Sequence, residues 1–206
     1  MPDTDQAAVL ALAAALGWAS GFRLYATLFA AGMASRLGWI DLPASLDLLE
    51  HPVLLGLSGL LLATEFLVDK IPGLDSFWDL VNSVIRVPAG AALAAAVLGA
   101  DSGVMAVAGA LLGGSLAASS QLAKTSVRAA INTLPEPVSN LFASLTEDGL
   151  SLGMLWLAVS KPMVFAVMLG LLVVAAVAVV WLLMRFLRAV MAKVRARLGR
   201  GMADAR

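Results

Sequence analysis

The residues able to do chemistry in this chain are ionisable groups set inside apolar sequence. Arg23 interrupts an otherwise charge-free stretch from residue 6 to residue 35. Glu65 and Asp69 stand four residues apart, on one face of a helix. Gln121, Lys124, Arg128 and Asn132 recur at helical spacing, and Asn140, Ser144, Glu147, Asp148 and Ser151 form a second stripe of opposite sign. Arg86, with Asn82 and Gly90, marks one side of a further segment that contains Pro88. An ionisable group at membrane depth is costly to bury and is by default a functional candidate. The expected chemistry is binding. Arg23, Lys124 and Arg128 are placed to hold an anionic group, and Glu65, Glu147 or Asp148 to handle a proton or cation across a polar cleft. Arg23 paired structurally with a buried carboxylate is the alternative.

Asp69, Asp75 and Asp79 surround the Pro72-Gly73 turn and are candidate oxygen ligands for a hard divalent metal. Capping and salt bridging are the preferred account of them. No Ser-x-x-Lys, Gly-x-Ser-x-Gly, His-Glu-x-x-His or phosphate-cradling glycine loop occurs, so a non-enzyme without a cofactor is expected. There is no cysteine, and the single His51 cannot build a multi-histidine site.

The elements that must position these groups are set by composition. Of 206 residues, 61% are hydrophobic and 14% charged, with a mean hydropathy of +0.92. Soluble domains carry about 25% charged residues, so the chain reads as an integral membrane protein; a soluble enzyme and a nucleic-acid-binding domain are excluded. Charge-free runs at 102–123 and 162–184 each meet the roughly 20 residues a spanning helix needs. Prolines and glycines divide the chain into six expected helices: 7–35, 52–69, 80–99, 103–123 with a polar extension to about 132, 138–159 and 162–188. The fold class is an all-α polytopic bundle of about six transmembrane or partly re-entrant helices, the third and fifth being the candidates for incomplete crossing. Ser20-Gly21 offers a place for the first helix to kink. A weak 3+3 internal repeat is one reading of the alternating basic and acidic groups.

A net charge of zero conceals an asymmetry. Residues 185–206 hold seven basic groups against Asp204, a net of +6, which leaves −6 for residues 1–184. This divides the chain into a transmembrane domain, 1–184, and a basic amphipathic tail, 185–206, suited to anionic lipid. Lysine and arginine placement then expects both termini on the cytoplasmic side of a bacterial inner membrane. Gly17-x-x-x-Gly21 and Gly109-x-x-x-Gly113 suit close helix contact, within the chain or in a homo-oligomer.

Five blocks carry a resemblance: WASGFRLYATLFA (18–30), EFLVDKIPGLDSFWD (65–79), IRVPAGA (85–91), NTLPEPVSN (132–140) and SLTEDG (144–149). On these the chain resembles a family of small multi-pass bacterial membrane proteins classed as a domain of unknown function. The resemblance implies a membrane helix bundle with these polar blocks as its signature, and no reaction, substrate or cofactor. Asn82-Ser83 departs from the histidine-threonine pair of that pattern, so no role for such a histidine carries over. The leading functional expectation is a transporter or channel-like translocator of an anionic or ionic small solute. Translocation of a lipid-phosphate headgroup and a non-catalytic, partner-binding scaffold are the alternatives.

Overall fold

Helices follow the apolar runs, and prolines open four of them. The computed structural model describes the backbone of residues 2–69, 71, 74–99, 102–131 and 137–203. Six α-helices appear: α1 (Pro2–Arg36), α2 (Pro52–Val68), α3 (Leu74–Leu98), α4 (Gly103–Ile131), α5 (Pro137–Ser160) and α6 (Pro162–Ala203). A short 3-10 helix, Ala44–Glu50, precedes α2. Pro52 starts α2 behind His51, whose Nδ1 accepts from the Val53 amide at 3.3 Å. The all-α bundle expected from composition is therefore present.

Among the described residues, four helices are long and apolar enough to cross a membrane: Gln6–Arg36, Phe77–Leu98, Gly103–Ala129 and Pro162–Ala192. A fifth follows if the 3-10 helix and α2, bent by 64°, form one broken span. The third helix thus qualifies as a span, while α5 does not. α6 is continuous through the expected domain boundary at residue 184 and runs on to Ala203. Most of its apolar side chains before residue 193 face outward, as a lipid-facing helix requires.

α1 is the element that departs most from a simple span. Arg23 is non-helical (φ −144°, ψ 79°), and the helix folds back there. The chain path shows the return. Gly17 meets Gly113, Gly21 meets Ala117 and Ser120, and Phe22 meets Lys124, so residues 17–22 run parallel to α4. Beyond the break, Phe29 meets Gly59, Gly32 meets Leu55, and Ser35 bonds Glu50, so residues 24–36 run antiparallel to α2. The start of α2 lies beside the end of α3, because Ser45 Oγ in the 3-10 helix donates to the Ala96 carbonyl at 2.6 Å. Both halves of α1 therefore stand on the same side of Arg23, and Arg23 is the tip. A single straight pass over 7–35 does not form.

Close backbone approach holds the leading half in place. A Cβ on Gly17 would lie 2.5 Å from the Gly113 Cα, and one on Gly90 would lie 3.0 Å from the Gly17 carbonyl oxygen. Three glycines on α1, α3 and α4 thus meet at one crossing. Both small-residue pairs of the sequence serve contacts within the chain. Around this crossing lies a core of small and aliphatic residues with Trp18 packed on Phe22 at 4.8 Å.

One end of the bundle collects the 3-10 helix and the α3–α4 and α5–α6 connections. The start of α1 lies at this end, since residues 17–22 descend along α4 towards Arg23. α6 starts at this end and, as one continuous helix packed on α4 and α5, leads away from it. The turn at Arg23 adds a reversal of chain direction that a straight first helix would lack.

Candidate functional site

The tip of α1 enters a network of buried ions. Glu65 and Asp69 come from the last turn and C-cap of α2. Asp79, Asn82 and Arg86 share one face of α3, which begins at Leu74, earlier than the expected residue 80. Gln121, Lys124 and Arg128 come from α4, and Ser144, Glu147 and Asp148 from α5. The separate polar stripes of the sequence therefore converge on one place.

Arg23 is fully buried and faces four carboxylates. Its Nη2 lies 2.8 Å from Asp69 Oδ2, its Nη1 3.5 Å from Glu65 Oε1, and its Nε 2.9 Å from Asp148 Oδ1 and 3.7 Å from Glu147 Oε2. Arg86 binds Glu65 Oε1 at 2.5 Å and Asp79 Oδ1 at 3.0 Å, and also donates to Gln121 Oε1 at 3.2 Å. Lys124 Nζ stands 3.0 Å from Asp79, 3.2 Å from Glu147 and 3.7 Å from Glu65. Arg128 binds both oxygens of Glu147 at 3.2 Å and reaches Asp69 at 3.5 Å. Ser144 Oγ accepts from Arg128 at 3.0 Å and donates to Asp69 at 2.5 Å. Burying an ion costs several kcal/mol unless partners surround it, and these multiple contacts supply that compensation.

The Phe22 carbonyl, at the break of α1, accepts from Lys124 Nζ of the same network at 3.1 Å. One turn earlier the Trp18 carbonyl accepts from Ser120 Oγ at 2.7 Å. A cation against the carbonyl end of a half-helix also suits the helix dipole. Thr27 Oγ1 donates to the Arg23 carbonyl at 2.8 Å.

Four cations meet five carboxylates among the described residues, leaving one negative charge in excess. Asp148 is the least compensated carboxylate. Among the described residues it pairs with Arg23 alone, and its side chain is 26% exposed, whereas the other four carboxylates are 8% exposed or less and each contact two or more cations. Deep inside, Glu65 Oε2 and Gln121 Nε2 have no hydrogen-bond partner among the described residues. They are a spare acceptor and a spare donor.

A groove of about 1010 Å³ runs from Asp148 towards Trp39 and Ile40. The trailing half of α1 forms its floor through Ala26, Phe29, Ala30 and Met33, and α2 and α5 form its walls. Among the described residues, Asp148 is the only ionisable one lining it. The polar cleft expected between α4 and α5 is closed by the Lys124, Arg128 and Glu147 pairs; the open space lies on the other side of α5 and is apolar.

Of the residues singled out in sequence, Arg23, Glu65, Asp69, Arg86, Gln121, Lys124, Arg128, Glu147 and Asp148 are brought together. Asn132 and the side chain of Asn140 lie outside the described residues, as does the Asp75 side chain. Asp69 and Asp79, the other two metal candidates, are engaged by cations, and no group of three or more potential ligands is placed for a metal among the described residues. Tyr25 was not anticipated. Its hydroxyl donates to Asn82 Oδ1 at 2.6 Å and ties the start of the trailing half of α1 to α3. Only its position two residues after Arg23 hinted at this. The groove was missed too, although Asp148, Leu152, Leu155 and Val159 carry its helical spacing along α5.

Comparison with curated proteins and with solved structures finds no match to the chain. A family model does match, over residues 10–182, which takes in every described ion pair. The chain belongs to that family, DUF4126, a domain of unknown function.

Proposed function

We propose that the protein is a membrane translocator in which the buried ion network is the coupling element. The observation that carries this reading is the excess carboxylate charge at the tip of a turned-back helix, beside an open groove. Broken helices whose ends face charged groups near membrane depth are a recurrent way to build a site that changes occupancy. The sign of the charge selects the ligand. An anion would have to displace a carboxylate from Arg23, Lys124 or Arg128, whereas a cation or proton has only to join the network. The solute class thus moves from anion to cation, and an anionic lipid-phosphate headgroup is disfavoured for the same reason. With the basic end of α6 placed at the cytoplasmic face of a bacterial inner membrane, on anionic lipid, the network lies towards that face.

Purified protein in liposomes tests this. Proton or cation flux, followed with an entrapped dye, should be present in the parent chain and lost in Glu65→Gln while the helical spectrum is retained. Absence of any flux dependent on Glu65 or Arg23, across proton, cation and anion panels, overturns the proposal.

A structural scaffold is the second reading, favoured by the saturation of every cation with two or more carboxylates. Glu65-dependent flux separates the two: a scaffold shows none in folded protein, and a coupling network loses its flux in Glu65→Gln.

A further inference from the structure

We propose that the groove between α2 and α5 binds a lipophilic cation, an apolar and preferably aromatic body carrying one positive charge, with Asp148 as its counter-ion. The inference rests on the translocator reading for its purpose but not for its chemistry. Six residues of α5, spread from Asp148 to Ser160, border the groove, a length of roughly 18 Å at helical rise. That is too long for a hydrated inorganic ion and too apolar to hold one. Phe29 and Trp156 line it, and aromatic rings attract cations. At its end lies the one carboxylate of the network held by a single cation and not fully buried. A bound positive charge there would bring the described network to neutrality. An anion of the same shape would meet Asp148 and an excess of negative charge.

The opposed features decide against an ordinary lipid chain as the intended occupant. An acyl chain gains from the apolar walls but leaves Asp148 facing hydrocarbon, which is unfavourable for a charged group. A cation with an apolar body satisfies both.

Tetraphenylphosphonium and tetraphenylborate have one shape and opposite charge, and they make the test. The full chain in nanodiscs of zwitterionic lipid should bind radiolabelled tetraphenylphosphonium saturably and tetraphenylborate more weakly. Asp148→Asn should weaken phosphonium binding about tenfold or more, Asp148→Glu should restore most of it, and Ala30→Trp should block it by filling the floor. Circular dichroism and the thermal midpoint identify any variant that has not folded. Equal affinity for the two ions, or an unchanged affinity in folded Asp148→Asn, overturns the assignment and leaves a groove filled by lipid chains. Phosphonium binding without flux in liposomes would sink the translocator and keep the site. Flux that is Glu65-dependent without phosphonium binding would do the reverse.

Discussion

Lys124 Nζ stands 3.1 Å from the Phe22 carbonyl oxygen while contacting Asp79 and Glu147 at 3.0 and 3.2 Å. One ammonium thus caps the end of the leading half of α1 and joins carboxylates from two other helices. An ammonium has three donors, and here each has an acceptor. The break in α1 and the ion network are consequently one structure: removing the cation frees a backbone carbonyl and leaves two carboxylates short of charge.

Lys124→Met should therefore be among the most damaging single changes in the chain. Breaking a buried pair by removing one partner costs about 3–5 kcal/mol, and the orphaned Phe22 carbonyl adds about 1–3 kcal/mol. A fall of many degrees in the thermal midpoint in detergent, with poor recovery of folded protein, is the expected result. A loss below about 1 kcal/mol would show that the ammonium is solvated and that the network does not depend on it.

Asp148→Asn and Glu65→Gln should differ in sign. Both remove one negative charge. Glu65 is fully buried against Arg23, Arg86 and Lys124, so its neutralisation leaves three cations undercompensated, and a cost of about 3 kcal/mol or more is expected. Asp148 is partly exposed and belongs to an excess of carboxylate, so its neutralisation should leave the thermal midpoint unchanged or raise it. Comparable losses in the two variants would refute the charge count.

Much of this network was legible because helical spacing reports which side chains share a face. Lys124 with Arg128, Glu147 with Ser144, and Glu65 with Asp69 all follow from position alone. The role of Asp79 was not, because the expected start of the third helix at 80 excluded it from the face of Arg86; the helix begins at Leu74. The return of α1 was invisible for a deeper reason. Residues on both sides of Arg23 are equally apolar, and periodicity carries no information about direction after a break. What supports the turn is tertiary: Lys124 donates to the Phe22 carbonyl, which a continuous helix would satisfy itself. Arg23 at the middle of the run and Ser20-Gly21 before it marked the place and not the angle.

Gly17→Ala should destabilise despite the better helix propensity of alanine. The added Cβ would sit 2.5 Å from the Gly113 Cα, against backbone that cannot rotate away. Overpacking of this kind costs about 1–3 kcal/mol, more than the roughly 1 kcal/mol alanine gains over glycine in a helix. Gly153→Ala is the control, since a Cβ there meets nothing within 4 Å and should be neutral or stabilising. Thermal midpoints of the two variants falling in opposite directions from the parent would support the glycine crossing; equal midpoints would not.

The turn at Arg23 also fixes which positions share a membrane face, and a chain without cysteine allows this to be read directly. Single cysteines at Gln6, Trp39, Ser102 and Lys161 should all react with a membrane-impermeant maleimide from one side, and a cysteine at Met191 from the other. The assignment follows from the 3-10 helix bonding the end of α3, from the direction of residues 17–22 along α4, and from α6 leaving in the opposite sense. Six full crossings would instead place Gln6 with Met191. If α5 fails to cross, Lys161 labels from the side opposite to Trp39, and Met191 and Gln6 label with Trp39. Each path gives a different labelling pattern, so a Gln6 cysteine that labels from the side opposite to Trp39 is the result that rules out a turned-back α1.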